Sequence, residues 1–301
     1  MTLRRDFLAD GWNDKAIARA VREGALTRVR RGAYADAALC HSLDPVGRHA
    51  LVARAVLRQA ETDVLLSHSS ALPEYDVPVW NIDLSTVHVT RRDRRSGRRE
   101  RGVCQHAGLL LPEDIVERNG VPVTSPCRTV LDLTTVAGAE ECLVVATHLV
   151  RAGETSVDEL RGRYERGMEM WPRTLRTDLV LRLIDDRLES PGEVRAWYAM
   201  FRHGVPAPVP QYEIRDGGRV VARVDFAWPD LGVFLEFDGL VKYQGGADGQ
   251  DPSGVVVREK LREDRIRELT GWRCIRITWA DLQDPERLAA RILRALYPAA
   301  A

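Results

Sequence analysis

Two strand-like runs, Arg219–Trp228 and Val233–Asp238, are separated by only four residues, Pro229-Asp230-Leu231-Gly232, which have the chemistry of a tight turn. So short a link joins the runs as an antiparallel hairpin and leaves little freedom of register. With Trp228 opposite Val233, Asp225 falls opposite Glu236. Alternation then gathers Arg223 and Asp225 with Glu236 and Asp238 on one face. Val224, Phe226, Trp228, Leu235 and Phe237 are left for the core. Directly opposed side chains have Cβ atoms about 5 Å apart, where like charges destabilise. Three crowded carboxylates call for a raised pKa or a compensating cation. Mg²⁺ (or Mn²⁺) suits this donor set, because such ions take carboxylate oxygens together with water and phosphate. The expected ligands are Asp225 and Glu236, with Glu193 completing or ordering the shell.

Glu193 belongs to a strong helix start, Ser190-Pro191-Gly192-Glu193, with Ser as N-cap, Pro in the first turn and Glu at N3. That position gives it a capping job as well as a catalytic candidacy. The helix continues through Val194, Trp197, Tyr198 and Phe201 to a stop at Gly204. Gln211–Arg215 and the turn Asp216-Gly217-Gly218 lead into the hairpin. Beyond it, Gln244–Pro252 reads as a Gly- and Asp-rich loop, and Val255–Leu269 as a helix carrying Arg258, Arg262, Arg265 and Arg267. Arg265 is the preferred phosphate contact among them. A site of this kind would hydrolyse a phosphodiester, the metal polarising the phosphate and helping to form hydroxide.

The 301 residues are enough for two or three domains, and a 45% hydrophobic, 29% charged composition is that of a globular chain. A formal net charge of zero means that contact with DNA must come from local patches. No apolar run is long enough for a membrane span and no secretory stretch follows Met1, so a cytoplasmic protein without membrane contact is expected. Five scattered cysteines with no C-x-x-C pair argue against a cysteine zinc site or a disulfide framework.

Near the front, Asn13 caps a helix with Ala16, Ile17, Ala20 and Val21 on one side and Lys15, Arg19 and Arg22 on the other, ending at Gly24. Leu26–Tyr34 alternates around a Gly turn as the wing of a winged helix does, with Arg28, Arg30 and Arg31 on it. Arg48–Gln59 and Arg128–Thr135 read as helical and Thr86–Thr90 as a strand. The run Arg91–Arg101, centred on Ser96-Gly97, reads as a polar hairpin tip or loop whose arginines can hold several phosphates. Ser67-His68-Ser69 lacks a nucleophile elbow, and adjacent residues rarely face one another, so it reads as structural.

The front half resembles the AbiEi antitoxin family, through Gly24–Tyr34, Ser67–Ala71, Val87–Thr90 and Ser125–Asp132 in that order. The resemblance implies a winged-helix DNA reader joined to a second domain, and with it a role in phage defence or toxin–antitoxin biology and a cognate toxin as partner. Few residues precede Asp14, so the first helix of the usual unit is expected to be short or missing. The last third resembles the PD-(D/E)XK nucleases, specifically the domain related to very-short-patch-repair endonucleases. The residues concerned are Glu193, Val224-Asp225-Phe226, Leu235–Gly239, Asp264–Arg267 and Gly271–Thr278. It implies a restriction-endonuclease-like sheet flanked by helices. Asp238 replaces the superfamily lysine, and Lys242 or Lys260 is the candidate to stand in.

The expected molecule is thus mixed α/β: a winged-helix unit over 1–40, an α/β middle domain over 41–185 and a nuclease-like domain over 186–301. Its expected function is Mg²⁺-dependent DNA cleavage guided by the front half. The competing expectation is a non-catalytic DNA-binding regulator or antitoxin with a degenerate nuclease fold.

Overall fold

The computed structural model describes residues 1–93, 95–168, 171, 174–239, 262 and 264–298. The architecture is mixed α/β, and the chain divides into two compact units, Met1–Arg182 and Leu183–Ala301. The boundary expected near residue 40 falls inside the first unit. Among the described residues no helix is long and apolar enough to cross a membrane.

The first unit opens with β1 (Thr2–Leu3), α1 (Arg4–Ala9), α2 (Asp14–Arg22), β2 (Leu26–Arg30) and β3 (Ala33–Asp36). The Asn13 side chain accepts from the Ala16 N–H at 2.9 Å, as the sequence predicts for a cap. Ile17 and Ala20 are the residues α2 buries, leaving its cationic side exposed. β2 and β3 pair antiparallel around Arg31-Gly32, and β1 adds to β3 to complete a three-stranded sheet. The first helix is present but only six residues long.

Next come α3 (Ala37–Ser42), α4 (Pro45–Gln59), β4 (Val64–Leu66), β5 (Val87–Arg91), β6 (Arg98–Glu100), β7 (Val103–His106), β8 (Ile115–Arg118) and β9 (Val121–Thr124). They form a six-stranded mixed sheet ordered β6-β7-β5-β4-β9-β8. The arginine-rich hairpin turns at Arg101-Gly102, not at Ser96-Gly97. Glu100 pairs with Val103, and both residues between them have positive φ (36° and 78°), which matches the strand twist of a two-residue turn. The helices α5 (Pro126–Leu133), α6 (Ala139–Arg151) and α7 (Val157–Glu165) follow, and α8 (Leu175–Leu183) spans the division between units. Arg128 on α5 is buried but paired, to Asp132 at 2.7 Å and Asp114 at 3.0 Å, while Arg163 grips the same Asp114. Burying such charges is tolerable only because each is matched.

The second unit holds α9 (Pro191–Arg202), β10 (Val209–Asp216), β11 (Arg219–Trp228), β12 (Val233–Asp238), a helix α10 over 264–270, β13 (Arg273–Thr278) and α11 (Pro285–Leu296). The sheet order is β10-β11-β12-β13, antiparallel except for the parallel β12–β13 pair. Trp228 pairs with Val233, the register that the four-residue link imposes. Both faces of this hairpin are buried, which the one-sided reading of the sequence did not anticipate. Phe226 and Leu235 are fully buried on one face, with Phe226 stacked on Trp197 of α9. On the face shared with Asp225 and Glu236, Ala227 and Phe234 are equally buried and pack with Ile266 of α10. That packing lays the basic helix over the carboxylate face.

Candidate functional site

The carboxylates of the second unit are held by three elements. Ser190 caps α9, and Glu193 answers as the third residue of the capping box: the Glu193 N–H donates to Ser190 Oγ at 3.2 Å, and Ser190 Oγ donates to Glu193 Oε1 at 2.7 Å. Glu193 Oε2 accepts from the Glu189 N–H at 2.9 Å and from Gln211 Nε2 at 2.8 Å. Gln211 reaches it from β10 with a positive φ of 51°. Burial raises the Glu193 pKa and the charge of Asp225 raises it further, against the effect of those donors. Glu193 is 5% exposed. It therefore feels the charge of Asp225 while both its oxygens already accept hydrogen bonds.

Asp225 Oδ2 accepts from the Phe237 N–H at 2.7 Å, so β12 itself orients this carboxylate. Glu236 is bound by Arg262, with Nη2 at 2.7 Å from Oε1 and 3.0 Å from Oε2. Arg223, which the sequence places on the same face, pairs with Glu189 at 2.8 Å. The α10 packing on Phe234 delivers Arg262 to Glu236. Asp238 ends β12, partly buried, beside Thr278 in the parallel register. Lys242 and Lys260 lie outside the described residues, as does the 244–252 loop. Arg265 is exposed and bridges Asp216 at 3.1 Å and Glu268 at 3.5 Å, contacts weakly stabilising in water.

The donor set of Asp225 and Glu236, with Glu193 behind them, consists of hard oxygens in a negative field and fits a small divalent cation. Arg262 holds one charge of that field in balance. Among the described residues, the group that brings three ligand atoms within 4.8 Å of one another is a different one, His68, His88 and His106 in the first unit.

The first unit carries a second arrangement with chemical meaning. A cleft of about 1310 Å³ is lined by Arg4, Arg5, Arg28, Arg30, Arg31, Arg91, Arg95, Arg98 and Arg101 against only Glu61 and Glu100. Two regions singled out in the sequence, the β2–β3 hairpin and the arginine run, thus converge. They do so because α4, β1 and the β5–β7 strands form the walls between them. Burial lowers the pKa of half-buried Arg30, and the nearby charge of Glu100 offsets part of that effect. Arg91 is held by Asp93 at 2.5 Å. Lys15, Arg19 and Arg22 are exposed on α2 and are not among the lining residues; Arg19 stands 4.0 Å from Glu23.

The Ser67-His68 pair departs from its sequence reading in one respect. His68 adopts φ 53°, which swings its ring so that Nδ1 lies 2.9 Å from Ser67 Oγ. Adjacent residues do face each other here. Both are buried, at 0% and 4%, so no substrate reaches the hydroxyl and a hydrolase centre is not formed. Nothing in the sequence signals the histidine cluster, because its members lie in three separate segments.

No family model matches the chain. Over 288 residues it is 30% identical to the uncharacterized proteins MT2308 and Rv2248 of Mycobacterium tuberculosis, strains CDC 1551 / Oshkosh and ATCC 25618 / H37Rv. The match covers 92% of this chain and 94% of each relative. The chain belongs to their family. Coverage of that extent takes in sequence from both units.

Proposed function

We propose that the protein is a metal-dependent DNA endonuclease in which the first unit binds the phosphate backbone and the second hydrolyses it. The observation that carries this reading is the placement of Asp225 and Glu236 on the neighbouring strands β11 and β12, with Asp225 raising the pKa of buried Glu193 on α9. In this reading α1, α2, β2 and β3 form a winged helix. The β10–β13 sheet with α9, α10 and α11 is the restriction-endonuclease-like core. The AbiEi resemblance makes phage defence or toxin–antitoxin biology the setting in this reading, with a cognate toxin as partner and the cytoplasm as the place.

A bound Mg²⁺ or Mn²⁺ would supply Lewis acidity toward the scissile phosphate and its attacking water. Asp225, oriented by the Phe237 N–H, and Glu236 would hold the ion. Glu193 keeps Gln211 and the α9 start in place behind them. Arg262 supplies the positive charge that the absent E-x-K lysine would have brought, able to move from Glu236 to a phosphoryl oxygen.

The test is nicking of supercoiled and single-stranded DNA with Mg²⁺ or Mn²⁺, comparing wild type with Asp225→Ala and Glu236→Ala. Loss of about 100-fold or more in both variants is expected, the scale seen when one group that stabilises the transition state is removed. The closed Arg262–Glu236 ion pair favours a second reading, a DNA-binding regulator without catalysis. Equal inactivity of all three proteins, with DNA binding retained, would decide for that reading.

A further inference from the structure

We infer that the first unit contains a binding site for one transition-metal ion of the zinc class, formed by the ring nitrogens of His68, His88 and His106. His68 begins the 3-10 turn after β4, His88 lies on β5 and His106 ends β7. β5 and β7 are parallel neighbours, and Thr90 pairs with His106 in the register. One nitrogen from each ring lies within 4.8 Å of the other two, and His88 Nδ1 is 2.8 Å from His106 Nε2. The rings stack, His68 on His106 at 3.7 Å between centroids and His88 beside His106 at 5.0 Å. Tetrahedral ligation with bonds of 2.0–2.1 Å places ligand atoms about 3.3 Å apart, a spacing that lies between the 2.8 Å of His88 and His106 and the 4.8 Å that bounds the set.

A second, independent feature points into the same place. Asp132 is fully buried, and its Oδ2 has no hydrogen-bond partner among the described residues. That oxygen lies 3.9 Å from His68 Nδ1, while Arg128 fixes the other carboxylate oxygen at 2.7 Å. A buried acceptor left unpaired is costly, and its presence calls for explanation. Metal binding provides one: His68 Nδ1 is engaged by Ser67 Oγ at 2.9 Å, which leaves Nε2 as the ligand, and the Asp132 carboxylate 3.9 Å from that Nδ1 supplies negative charge behind the imidazole, as in carboxylate–histidine–metal sites. Imidazole nitrogens with a carboxylate behind them select zinc-class ions over Mg²⁺. Partly buried His106 gives the ion its way in, and the bound ion would clamp the β4 turn to β5 and β7.

The experiment uses the full chain, treated with chelator and then titrated with Zn²⁺ and with Co²⁺, whose visible absorption reports its ligand geometry. One ion is expected at the imidazoles, apart from any held by Asp225 and Glu236, with Co²⁺ bands of a four-coordinate nitrogen and oxygen site. His88→Gln and His106→Gln should each abolish those bands, and Asp132→Asn should weaken affinity about 10–100-fold. His203→Gln, a histidine at the end of α9, should bind as wild type. Far-UV circular dichroism identifies variants that remain folded, and His106, the least buried of the three, is the safest position. Absence of uptake by wild type, or equal uptake by wild type and folded His88 and His106 variants, overturns the site.

Discussion

Burial fixes the charge state of three histidines in the first unit. Together with neighbouring positive charge and imidazoles, it brings the pKa of His88 down to about 4 and that of His106 to about 3. His68, fully enclosed, lies well below its ordinary value for the same reason. An unfolded histidine titrates near 6.5, so below that pH the unfolded chain binds protons that the folded chain refuses. Stability is therefore fully present above pH 6.5 and is lost as pH falls toward 4. In metal-free protein the thermal midpoint should drop by several degrees between pH 7 and pH 4.5, and His106→Gln should flatten that slope. A midpoint that stays level in wild type over this range would show the rings to be more accessible than the geometry implies. None of this was legible in the sequence. Single histidines are common on strands, and only the pairing of β5 with β7 brings residues 88 and 106 together.

At the scale of elements, local signals were informative and packing was not. Asn13, Ser190 and the Pro229–Gly232 link mark where α2, α9 and the β11–β12 turn lie, because capping and turn chemistry act within a few residues. The partner of Glu236 was hidden, because it depends on α10 lying over Phe234. Gly192 shows the same dependence. A Cβ there would stand 2.1 Å from the Phe237 ring, and that ring is itself held edge-on by Trp279 at 5.1 Å. Only a glycine lets the first turn of α9 approach β12 closely enough to set Glu193 beside Asp225. Gly192→Ala should cost about 1–3 kcal/mol of stability, the usual range for overpacking a filled site. Chemical denaturation checks this, and a change within about 0.5 kcal/mol would mean that Phe237 yields freely. If the nuclease reading holds, the folded variant should also lose turnover, since displacing α9 misplaces Glu193.

For the whole molecule, a formal charge of zero conceals a strong division of labour. Nine arginines line one cleft of the first unit, and the matching acids are spread elsewhere, including the carboxylates of the second unit. Polyanion binding to such a cleft releases counterions, and log K falls with log salt by about 0.9 for each phosphate neutralised on duplex DNA. The triple variant Arg28→Ser, Arg30→Ser, Arg31→Ser removes three of those charges from a hairpin whose pairing is backbone-made. The slope should become shallower by about 2–3, measured by fluorescence anisotropy from low to physiological salt. Lys15→Ser with Arg22→Ser tests the exposed side of α2 in the same way. A slope unchanged in the hairpin triple but reduced in the helix pair would move the DNA from the cleft to α2. The same variants separate binding from chemistry. If the nuclease reading holds, loss of cleft arginines should raise KM with little effect on kcat, because contacts to phosphates other than the scissile one hold substrate and transition state alike. Asp225→Ala should do the reverse. Were both sets to lower kcat equally, binding and hydrolysis would not be divided between the units as proposed.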